Sequence, residues 1–195
     1  MRILIVLFVL LASACGSTPG TQPRSGQITN IQAPGNLEAG ADVGCIAVES
    51  LKNTYTAADL YRINTKCVKE DHLDAAVYVS AMAGVYARYD SMRVADQSAH
   101  QAQTVLRMNF ANSLTESEKK AFMARLSAVA GDPASLATLC ARIRAIGPPN
   151  YHPTYMIQHG MGAFVGSGGN GLVSNFDSSS AWDKSLDAYL HCPKQ

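Results

Sequence analysis

The sequence has no block of like charge. Its 16 Lys and Arg are set against 15 Asp and Glu along 195 residues, a formal net charge of +1. Nucleic-acid binding leans on a concentrated positive patch, so the composition argues against that partner. A polybasic membrane-surface role lacks its residues for the same reason. No two cysteines stand as close as C-x-x-C, the usual spacing of zinc ligands. No P-loop, no G-x-S-x-G elbow and no H-E-x-x-H pair is present. The expectation is a chain with no metal, no cofactor and no catalytic set. It also lacks a series of alternating strand patterns and any apolar run of the ~20 residues that a membrane-spanning helix needs.

The most telling stretch is the start. Arg2 is followed by an unbroken apolar run, Ile3 to Leu11, and then by Ala12, Ser13, Ala14 and Cys15. Charge, apolar core and small residues have the layout of a secretory signal. A cysteine directly after the small residues resembles the lipobox of bacterial lipoproteins. That resemblance implies removal of residues 1–14 and lipidation of Cys15, with palmitate among its acyl groups. Leucine is usual three residues before the cysteine, where this chain has Ala12. Ala12-Ser13-Ala14 also fits the A-x-A site of an ordinary signal, so a secreted soluble protein is the alternative. Gly16 and Ser17 are not the aspartate that resembles an inner-membrane retention signal, which favours the outer membrane.

Residues 16–40 are rich in Gly, Ser, Thr, Pro, Gln and Asn and contain no aromatic residue. Such a segment buries too little apolar surface to offset its ordering entropy. It reads as a tether, 15–40 with the cysteine, leading to one domain, 41–195. Without Arg2 the mature chain holds 15 residues of each charge.

Cys45, Cys67, Cys140 and Cys192 remain, an even number in an exported chain. Two disulfides are expected, with three possible connectivities. The favoured pairs are Cys45–Cys67, pinning the incoming segment to the first helix, and Cys140–Cys192, stapling the chain's end to a core helix.

From Thr56 the chain reads as an all-α bundle of about six helices. Thr56 with Asp59, and Thr115 with Glu118, have capping-box spacing. Asp132-Pro133 is an N-cap followed by proline at the first helical position. Asp71 is expected to cap a central helix with a small-residue stripe from Leu73 to Gly84 and a second stripe through Tyr78, Met82, Val85 and Tyr89. A helix from about Asp96 to Phe110 follows, and Ser180 and Asp183 are expected to cap the last. The run AADLYRINTKCVKEDHLDAAVY, Ala57 to Tyr78, resembles one unit of a Sel1-like or tetratricopeptide repeat. The resemblance implies two helices packed through small residues. A generic helical hairpin has the same pattern, and no second copy follows at that period.

Residues 148–180 break the pattern, being long, glycine-rich and aromatic. Long connections in compact domains often carry function. Thr154 to Phe164 is expected to be a short helix. Tyr151, His152, Tyr155 and His159 are the candidate partner-binding residues. The bland reading of the same stretch is a layer covering the bundle. Asp96 and His100 share a helical face and could meet, the supporting half of a triad; His159 is the other histidine considered for chemistry.

The expected function is that of a periplasmic, membrane-tethered lipoprotein acting by protein binding. Its general design is similar to periplasmic immunity lipoproteins, which occlude toxic effectors. A toxic effector enzyme is therefore the expected kind of partner. An envelope assembly scaffold and a cell-envelope hydrolase are the alternatives.

Overall fold

The computed structural model describes residues 32–166 and 169–193. The signal segment and Cys15 lie outside the described residues. Among the described residues eight α-helices follow one another: α1 (Ala57–Lys69), α2 (Leu73–Arg93), α3 (Ala102–Asn112), α4 (Glu116–Gly131), α5 (Pro133–Ile146), α6 (Thr154–Ile157), α7 (Gly162–Val165) and α8 (Ser178–Leu190). Two are single turns, so six long helices make the bundle. Among the described residues the only strand-like pairing is one antiparallel bridge, Val94 to Leu172. No helix among them is long and apolar enough to cross a membrane.

Local chemistry sets most helix starts. Thr56 accepts a hydrogen bond from the Asp59 amide at 3.1 Å, and Asp59 accepts one from the Thr56 amide at 2.8 Å. Thr115 and Glu118 repeat this at α4. Asp132 accepts the Ser135 amide, and Pro133 opens α5. These capping boxes satisfy amide groups that a helix leaves orphaned.

Three boundaries differ from the sequence expectation. Asp71 does not cap α2; it takes a left-handed φ of 58°. The His72 amide then returns to the Cys67 carbonyl at 2.8 Å, so this turn closes α1. The helix expected from Asp96 starts as a 3-10 turn, Gln97–Gln101, before α3 begins. The cap of α8 is Asp177, which accepts the Ser180 amide at 3.0 Å, so Ser180 sits inside the first turn.

From Ala81 to Ala87 α2 is buried on every side, and Ala76, Val77, Val79, Met82, Ala83, Val85, Tyr86 and Ala87 are fully enclosed. A helix apolar all round belongs at the centre of a bundle. α1 lies along it through Leu60, Ile63 and Cys67. α8 packs on it where the small-residue stripe ends. A Cβ on Gly84 would stand 1.9 Å from the Tyr189 ring, so the glycine is what admits that ring.

Both expected disulfides form, Cys45–Cys67 and Cys140–Cys192. They enclose sequence separations of 22 and 52 residues, each a stabilisation of about 3–4 kcal/mol on the loop-entropy account.

The domain begins before residue 41. Ala33 is buried and Leu37 packs on the core. The Leu37 amide donates to the Tyr155 carbonyl at 3.0 Å. Asp59 then accepts the Ala41 amide at 2.7 Å, Arg62 donates to the Ala41 carbonyl and Lys66 to the Val43 carbonyl. Residues 33–40, expected as the end of the tether, are therefore a strap laid along α6 and α1. Composition alone hides this, because the strap is held by its backbone.

Gly84→Ala tests the central packing. Alanine is the better helix former by about 1 kcal/mol, yet it collides with Tyr189. A net loss of about 1–3 kcal/mol is expected in urea unfolding.

Candidate functional site

The irregular segment from Gly147 to Asp177 is organised around one buried carboxylate. Asp90 lies near the end of α2 with no solvent exposure. Its Oδ2 accepts hydrogen bonds from the Tyr151 and Tyr155 hydroxyls, each at 2.8 Å. Its Oδ1 accepts one from Arg93 Nε at 2.8 Å, with Nη2 2.7 Å away but off the line of a hydrogen bond. The Arg93 guanidinium lies over the Tyr89 and Tyr151 rings, 5.3 and 5.0 Å from their centroids. A buried charge survives where it is paired and hydrogen-bonded, and this one has both.

Burial pushes the Asp90 carboxyl above the usual carboxylate range, opposed by Arg93 and the two hydroxyls. Burial, reinforced by the Asp90 charge, raises Tyr151 and Tyr155 well above an ordinary phenol. Both tyrosines are therefore hydrogen-bond donors fixed inward. An aromatic group of Tyr86, Tyr89, Phe176 and Trp182 packs beside them, with ring centroids 5.3–6.3 Å apart.

This corrects the sequence expectation for two residues. Tyr155 is buried, and Tyr151 is half-buried with its hydroxyl spent on Asp90. Neither presents its polar end to a partner. His152 is exposed, and bonds Thr154 Oγ1 and the Asn170 carbonyl at 3.1 and 2.9 Å. His159 is half-buried against Asn36 Oδ1 at 2.9 Å, and burial lowers its pKa. The four candidates share one loop but do not converge on one surface.

Sequence reasoning missed Asp90 and Arg93. A signal existed: Asp90 and Arg93 follow Tyr86 at helical spacing, directly after the apolar turns from Ala81 to Ala87.

A second clamp holds the middle of the loop. The expected helix over Thr154 to Phe164 is instead α6 and α7, separated at Gly160. A Cβ on Gly160 would stand 2.3 Å from Asp96 Oδ2, so the chain passes there only as glycine. Asp96 Oδ2 accepts the Gly162 amide at 2.7 Å, and Ser98 Oγ accepts the Met161 amide at 2.8 Å. The Ser98 hydroxyl, donating to Asp96 Oδ1 at 2.6 Å, and then the Gly162 amide hold the Asp96 carboxyl below its usual range. His100 Nε2 is bonded to the Val94 carbonyl at 2.9 Å. Asp96 and His100 thus serve different partners, and the pair does not orient a base.

The ligand atoms of Cys45, Glu70 and His72 lie within 4.8 Å of one another. Cys45 is bonded to Cys67, so this group has no thiolate to give a metal.

A cleft of about 760 Å³ runs along α8. Asp183, Lys184 and Asp187 line it from that helix, Asp177 from its cap, Arg144 from α5, and Cys192 of the second disulfide also lines it. Arg144 is steadied by donating to the Pro193 carbonyl at 2.7 Å. The cleft offers ion pairing and hydrogen bonding to polar groups of either sign.

In comparisons with known proteins, no family model, no curated protein and no solved structure matches the chain.

Two outcomes check the clamps. Asp90→Ala leaves Arg93 and two hydroxyls buried without their acceptor. It is expected to cost about 3–5 kcal/mol in urea unfolding, against about 1 kcal/mol for Tyr155→Phe. The lowered Asp96 pKa means its contribution is complete above the ordinary value near 4 and is lost as pH falls through the folded value. Protection of the Met161 and Gly162 amides from hydrogen exchange, taken relative to the intrinsic rate at each pH, should therefore fall as acid is added, and Asp96→Asn should weaken that pH dependence.

Proposed function

We propose that this chain is a lipid-tethered protein of the periplasmic face of the bacterial envelope that acts by binding another protein. The general design is that of immunity lipoproteins, and a toxic effector enzyme is the kind of partner it suits. The observation that carries the reading is the cleft along α8, lined by the acids Asp177, Asp183 and Asp187 and by the bases Arg144 and Lys184. A concave surface of mixed charge on a disulfide-stapled frame offers a partner complementary contacts with little ordering cost. The two disulfides support an oxidising compartment. The spent hydroxyls of Tyr151 and Tyr155 turn the reading away from the loop and toward α8.

The test is capture from periplasmic extract by the full chain. Reversing two charges, Asp183→Lys with Asp187→Lys, is expected to lower partner recovery roughly tenfold. His152→Ala is expected to keep it. Equal recovery by the double variant would sink the cleft as the interface. Metabolic lipid labelling with Cys15→Ser as control decides the tether separately.

A further inference from the structure

We propose that Met161 and α7, with Val173 farther along the same loop, form a membrane-contact tip, resting in the lipid interface while the chain is tethered. The proposal rests on the lipid-tether reading of Cys15 and goes beyond it, because it fixes which side of the domain meets the bilayer.

Four large apolar side chains stand out from the loop. Met161 is 63% exposed, Phe164 47%, Val165 76% and Val173 37%. Single exposed apolar residues are ordinary, but three within one helical turn make a patch. The backbone on both sides of it is tied to one segment of the bundle. Asp96 and Ser98 hold the Gly162 and Met161 amides, and the Arg93 carbonyl accepts the Val173 amide at 2.9 Å. The tip is thus a built feature of the fold.

The loop that carries the tip has no formal charge of its own, and Asp96, holding the Gly162 amide, is the ionised group at its base. From residue 145 to 176 there is no Asp, Glu, Lys or Arg, and none from residue 25 to 37. Those two stretches meet. Leu37 bonds the Tyr155 carbonyl, Asn36 bonds His159, and a Cβ on Gly35 would touch Thr154 and Gln158. The chain therefore joins the domain on α6, a few residues before the tip. Between Cys15 and the strap lie residues 16–31, which even fully extended reach no more than about 55 Å. A domain leashed there meets the bilayer repeatedly, and an apolar tip on a loop without charges of its own makes that contact at little desolvation cost.

Patch size points the same way. An independent protein interface needs about 500 Å² from each partner, more than the side chains of one helical turn offer. A leashed domain does not depend on the tip for its affinity, because the acyl chains hold it at high effective concentration. The tip only has to orient it. With no basic residue in the patch, contact should be insensitive to salt and to anionic lipid.

The test uses the full chain, purified from membranes and placed in vesicles of phosphatidylethanolamine and phosphatidylglycerol, with or without acyl-chain bromination. Phe164→Trp supplies the probe, and the unsubstituted chain, whose one tryptophan is Trp182, gives the background. The probe is expected to lose roughly half its emission in brominated vesicles, at low and high salt alike, with an unchanged thermal midpoint. A chain that carries lipid on Cys15 by mass but shows no quenching overturns the contact and leaves the tether standing. A chain without lipid on Cys15 overturns the tether and the proposal with it. Loss of the periplasmic partner on Phe164→Ser, with the tryptophan probe unquenched, assigns the tip to a protein and also overturns the proposal.

Discussion

Asp90 joins the regular half of this molecule to the irregular half. It sits on the central helix, yet two of its donors come from the loop that follows α5, and the third is Arg93 on its own helix. Each donor alone is an ordinary hydrogen bond. Together they let a carboxylate exist without water, and an unpaired charge in that place would be prohibitive. The loop must therefore close in one arrangement. The Tyr86 hydroxyl, donating to the Gly147 carbonyl at 2.8 Å, fixes where the loop begins. Asp96 and Ser98 fix its middle, and the Val94–Leu172 bridge fixes its return. A stretch with little regular structure is held nearly as firmly as a helix.

The helical frame was largely legible in the chain. Capping boxes at Thr56 and Thr115, the proline at residue 133 and the pairing of four cysteines are local or low-multiplicity signals, and each appears as expected. Boundaries drifted where a polar residue had two possible uses. Asp71 looks like a cap and serves as a left-handed stop. Ser180 looks like a cap and is the donor that Asp177 receives.

The loop was legible as unusual but not as to its use. Tyr155 and Tyr151 have the amphipathic character of contact residues, and that character is spent on a carboxylate 65 and 61 residues away. No spacing rule connects residues so far apart. The strap of residues 33–40 was lost for a related reason: its main grip is by backbone amides and carbonyls, which every residue carries. Polarity in a sequence measures what side chains can bury, not what a main chain can bind.

The same strap decides how the domain bears mechanical load. A pull on the N-terminal side of residue 33 falls first on the Leu37–Tyr155 and Asn36–His159 hydrogen bonds. It falls next on Asp59 and Arg62 at Ala41. These can peel one at a time, each with a small extension. The peeling stops at Cys45, where a covalent bond to Cys67 passes the force into α1. The strap is a short shock absorber in series with a hard stop, and α2 with its buried carboxylate lies behind that stop.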